Sequence, residues 1–121
     1  MIENRAEQVE ALQAMLDYNP RLVKAMKAVS DELAGERQPD TDEYLLSVIK
    51  GINWEIQVLN GTMEVLNEKE LQVEKDAVND IFVEFNDLYQ NKNDSGMAVS
   101  FQTKVIPFFE TFEVAARNVI S

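Results

Sequence analysis

The chain has 121 residues, 45% of them apolar, and carries 11 bases against 22 acids for a net charge of −11. It contains no Cys and no His, which excludes disulfides, thiolate nucleophiles, imidazole bases and the ordinary zinc and di-iron sites. The length suits one domain over residues 1–121, four Gly and three Pro are too few for a turn-rich all-β fold, and no apolar run reaches membrane length.

Met1 to Glu10 holds three acids and one Arg, without the basic start and apolar middle of a signal peptide, so a cytoplasmic location is expected. The acids are spread over both halves of the chain. Their field repels nucleic acid and anionic lipid, so neither is an expected partner. It would attract a basic protein surface.

The first helix is expected from about Glu3 to Asp17, with Ile2, Val9, Leu12 and Leu16 on one stripe. Asn19-Pro20 is expected to end it, because a residue before proline is pushed out of the α region. Pro20 then opens a second helix carrying Leu22, Met26, Val29 and Leu33 at helical spacing. Gly35 to Thr41, with Pro39, reads as a loop. Asp40 followed by Glu43 resembles a capping box ahead of a long third helix reaching about Asn67.

That third helix carries two apolar stripes. Leu45, Ile49, Ile52, Ile56, Leu59, Met63 and Leu66 form a heptad seam. About 100° away run Tyr44, Ser47, Gly51, Trp54, Val58, Gly61 and Val65. A helix apolar over that much of its circumference lies between neighbours. Gly51 and Gly61 each cost up to about 1 kcal/mol relative to Ala, which points to a close approach there. The approach is either a helix crossing within the chain, or a homodimer face or ligand slot floored by the glycines and walled by Trp54. Gly51, Trp54, Val58 and Gly61 are the candidate interaction face. Asn53, Gln57 and Asn60 extend it as a row of uncharged amides suited to recognising a peptide backbone or a polar ligand.

A fourth helix is expected over about Lys69 to Asn91, with Leu71, Val78, Ile81, Phe82, Phe85, Leu88 and Tyr89 on its apolar side. Asn91 to Gly96 reads as a loop. The fifth helix carries Ala98, Phe101, Val105, Phe108, Phe112, Ala115 and Val119, and Pro107 within it is expected to kink it or mark a restart.

The fold expected is all-α: a compact up-and-down bundle of four or five helices with the long third helix central. Leu45, Ile52, Ile56, Leu59, Phe85, Phe108 and Phe112 are expected in the core. Carboxylate pairs such as Glu7 with Glu10, Glu70 with Glu74, Asp76 with Asp80, and Glu84 with Asp87 share helix faces. They would support a carboxylate–Mg²⁺ hydrolase of small phosphorylated substrates, but they stand opposite the apolar stripes and read as solvated. No phosphate loop or nucleophile elbow accompanies them. No catalytic residue, metal ligand or cofactor is assigned. The favoured function is a non-enzymatic protein–protein interaction module, an adaptor or a chaperone-like or antitoxin-like protein by compositional analogy. Self-association as a homodimer through the third helix is part of that expectation.

Overall fold

A computed structural model describes residues 4–120, so Ile2 and Glu3 of the first expected helix lie outside the described residues. Helix α1 spans Arg5–Ala34 and opens on Asn4, whose side chain accepts from the Glu7 amide at 2.8 Å. Glu7 in turn accepts from Asn4 Nδ2. The first bond satisfies one of the helix-start amides that otherwise lack partners, and the second holds the Asn4 side chain that makes it.

The break expected at Asn19-Pro20 does not occur: α1 runs through Pro20 without interruption. Leu12, Met15, Leu22, Met26, Val29 and Leu33 are all buried, and Asn19 stands in register between them. Burying each such side chain is worth about 1.5–3 kcal/mol. An interior proline costs about 3 kcal/mol. Six buried side chains in one register outweigh one proline, so two expected helices are one.

Helix α2, Thr41–Leu66, is the helix expected third and is second in chain order. The capping box expected at Asp40 does not form, since Asp40 makes no side-chain cap bond. The buried Thr41 holds the junction instead. Its Oγ1 accepts from the Gln38 amide at 2.7 Å and donates to Glu32 on α1 at 2.8 Å.

Helix α3 spans Lys75–Gln90 and begins later than expected. Asn67 folds the preceding segment into a loop: its Oδ1 accepts from the Gln72 and Val73 amides, and its Nδ2 donates to the Val73 carbonyl. Leu71, expected on an apolar stripe, lies in this loop and is 71% exposed.

The last helical rod comprises α4 (Asp94–Ser100), a π-helical turn (Phe101–Val105) and α5 (Ile106–Ile120). The turn is how the chain accommodates Pro107. Ile106 donates to the Phe101 carbonyl, one residue wider than α spacing, immediately before the proline. The added residue takes up the crowding that a proline ring imposes on the turn behind it.

The molecule is an all-α bundle, with no strand among the described residues. Helix α1 is the element against which α2, α4, the π turn and α5 all pack, a position expected for the long helix that follows it. α1 and α2 are antiparallel, with Arg5 meeting Glu68 at one end and Tyr18 meeting Gly51 near the middle. α1 is also antiparallel to the last rod: Asn19 faces Phe109 and Ser30 faces Ala98. α3 rests chiefly on α4 and the π turn. Phenylalanines join α3 to the last rod in two groups of mostly edge-to-face pairs, Phe82 with Phe108, Phe109 and Phe112, and Phe85 with Phe101. Of the expected core residues, Leu45, Ile52, Leu59, Phe85, Phe108 and Phe112 are buried and Ile56 is half-buried. Among the described residues no helix is long and apolar enough to cross a membrane.

Candidate interaction face

Gly51 lies where α1 and α2 come closest. A methyl added at Gly51 would collide with the Tyr18 hydroxyl and reach within 3.0 Å of Leu22 Cδ1. The glycine therefore admits the Tyr18 ring between the helices, and the close approach expected at this position is one within the chain. Tyr18 meets Trp54 edge to face, with centroids 5.6 Å apart. Arg21, one turn along α1, stands over the Tyr18 ring at 5.5 Å, a geometry that attracts a cation to the ring face. Tyr18, Ser47, Lys50, Gly51 and Trp54 line an open cleft of about 430 Å³.

The seven candidate residues divide across this cleft. Gly51 and Val58 are buried beneath α1, and Gly61 is half-buried. Trp54 remains 39% exposed at the cleft mouth. Asn53, Gln57 and Asn60 are exposed on the outer side of α2. The structure thus brings Gly51 and Trp54 into one cleft and sets the amide row beside it, while Val58 belongs to the helix crossing.

Tyr18 and Arg21 were not among the candidates. The signal available was a Tyr at a position one residue from the α1 apolar register, which only the unbroken helix reveals. Glu55 was missed as well, and it is the most unusual residue in the core. It lies midway between the two apolar stripes of α2 and is completely buried. The Asn19 amide, also buried, reaches it from α1. Burial pushes the Glu55 carboxyl up to about 8, with the Glu113 carboxylate of α5 adding to the effect.

The Asn19 side-chain amide lies within hydrogen-bond distance of both Glu55 oxygens, and oriented with Nδ2 towards them it donates to both, at 2.9 and 3.1 Å. The polar pair Asn19–Glu55 thus stands directly behind the aromatic pair Tyr18–Trp54, each residue adjacent in sequence to its outward neighbour.

The acid pairs weighed for a metal site are solvent-exposed, and Glu84 is engaged by Lys104 at 2.7 Å. Among the described residues no group of three or more acids is placed to hold a metal ion. At one end of the bundle, Arg37 donates to Asp42 of α2 and Asp94 of α4, tying the starts of both helices together. The Arg37 guanidinium holds the Asp94 carboxyl below its ordinary range. A recess of about 530 Å³ lies against this bridge, floored by Leu45 and Met97.

These features define a small all-α bundle with one aromatic cleft on its α1–α2 face. Over residues 10–114 the chain matches the family described as a domain of unknown function (DUF8042), and it belongs to that family. No curated protein and no solved structure matches it.

Proposed function

We propose that the protein is a non-enzymatic interaction module whose docking face is the Trp54 cleft and the adjoining amide row of α2. The observation carrying this reading is Trp54 itself. The other large aromatic side chains of α2, α3 and α5 are turned at least partly into the bundle, whereas this one ring holds the mouth of an open cleft. A partly exposed Trp beside a second ring offers a rigid apolar anchor, the kind of residue on which protein interfaces concentrate their energy. Asn53, Gln57 and Asn60 supply donors and acceptors around it without charge. The partner is a protein, and a second copy of this chain is one such protein.

Site-specific photocross-linking tests the reading. A benzophenone side chain at Gln57, beside Trp54, is expected to yield a discrete protein adduct in cells. The same group at Val83, exposed on the far side of α3, is expected to yield none. An adduct at twice the chain mass identifies self-association. Equal labelling from both positions, or none from Gln57, overturns the proposal.

A further inference from the structure

The charge on this molecule is not evenly distributed in space. Residues 18–30 of α1 contain Arg21, Lys24 and Lys27 and no acid. Residues 44–63 of α2 contain Lys50 and a single acid, the fully buried Glu55. All four cations are exposed, and none makes an ion pair among the described residues. The nearest acids along the chain, Asp17 and Asp31 on α1 and Glu43 and Glu64 on α2, bound the region at its ends. On a chain whose net charge is −11, this stretch of α1 and α2 therefore carries an excess of exposed cations. Two of the four cations belong to the cleft: Lys50 lines it, and Arg21 covers the Tyr18 ring that walls it.

We infer that the Trp54 cleft docks an acidic segment of a protein, with an apolar side chain against Trp54 and Tyr18 and carboxylates on Arg21 and Lys50. This rests on the docking reading above and names the partner's chemistry. Complementary potential selects and steers the partner, so an acidic segment is accepted where a basic one is repelled. The chain's overall negative field turns away long polyanions such as nucleic acid, and confines attraction to a short acidic stretch that matches these exposed cations. The cleft is open and bounded by two helices, whereas small-molecule sites enclose most of their ligand. A peptide side chain entering from outside, its backbone passing over Asn53 and Gln57, matches that shape. At this face the proposed partner is opposite in sign to the basic one that composition suggests.

Trp54 is the only tryptophan, so its emission reports the cleft directly. The probes are two synthetic peptides with a Leu-Phe pair, flanked on both sides by Glu in one and by Lys in the other. The Glu peptide is expected to shift Trp54 emission. Its binding should weaken about tenfold in roughly 0.5 M salt, where screening shortens to a few Å. A similar loss is expected in the Arg21→Gln, Lys50→Gln double variant, whose changes are confined to exposed side chains. The Lys peptide is expected to give no shift. Equal binding of the Lys peptide would overturn the acidic segment while leaving the docking reading intact. No shift with either peptide up to about millimolar concentration, the weak end of specific binding, would overturn the acidic segment. If the Gln57 cross-link were also absent, the docking reading would fall with it. Emission that changes with the protein's own concentration, without peptide, would replace the acidic segment by a second copy.

Discussion

Glu55 is a carboxyl held inside a helical core by one amide. Its raised titration point, about 8 against 4.5 for the free side chain, makes folding sensitive to pH in a definite direction. Between those values the folded chain keeps a proton that the unfolded chain has lost. Stability is therefore full below about pH 4.5 and declines as pH rises toward 8, with a slope of up to about 1.4 kcal/mol per pH unit. The chain has no His and no Cys, so no other side chain has an ordinary titration in this window. The lowered carboxyls of Glu68 and Asp94, each held down by a hydrogen-bonded arginine, act at more acid pH. Denaturant unfolding at pH 5 and pH 8.5 is expected to give a lower midpoint at the higher pH. Glu55→Gln should remove most of that difference by stabilising the protein at pH 8.5, since the amide keeps the shape and carries no charge to desolvate. Parallel pH profiles for the two proteins would show that Glu55 is ionised in the folded state.

At the scale of elements, the bundle is uneven. α1 and α2 are long and share an extended interface, whereas α3 buries only Val78 and Phe85 among its own residues. Its remaining attachment is the half-buried set that includes Ile81 and Phe82. Amide hydrogen exchange is expected to be faster throughout α3 than in the middle of α1 or α2, because local opening there exposes less apolar surface. Phe85→Ala should cost about 3–5 kcal/mol and accelerate exchange in α3 beyond the other helices; uniform protection across all four rods would contradict this. The periodicity of three and four residues made the helices and most core positions legible from sequence alone. The boundaries were less so, and for local reasons. The dipeptide rule predicts a break at Pro20, but Leu12, Met15, Asn19, Leu22 and Met26 continue one buried register through it. Asn67 ends α2 and binds the following loop through side-chain bonds that no apolar pattern records. The two stripes of α2 are plain in the sequence, yet nothing there marks the residue between them, Glu55, as buried, since acids usually face water. Gly51 and Gly61 point to a close approach from sequence alone, and Trp54 to the face beside it. Tyr18, which meets both Gly51 and Trp54, and Arg21 over its ring fall at the expected break before Pro20, so no register points to them.

For the whole molecule, the dominant long-range force is self-repulsion from a charge of −11. Five ion pairs among the described residues oppose it, but all involve partly or largely exposed groups. Such pairs contribute roughly 0–1 kcal/mol each and weaken in salt along with the repulsion. The acids outnumber what the bases can pair, so screening removes more repulsion than attraction. Raising ionic strength from a few millimolar to the physiological range, where the screening length is about 8 Å, is expected to raise the melting temperature. A fall on adding salt would mean that the ion pairs dominate.

The arrangement of Glu55, Asn19 and Glu113 has one more consequence, for heat rather than for structure. Near neutrality, each molecule that unfolds hands the Glu55 proton to the surrounding buffer. The enthalpy recorded by calorimetry then includes the heat of protonating that buffer. Two buffers of different ionisation enthalpy will report different unfolding heats for the same protein at the same pH and temperature, and their difference counts the protons released.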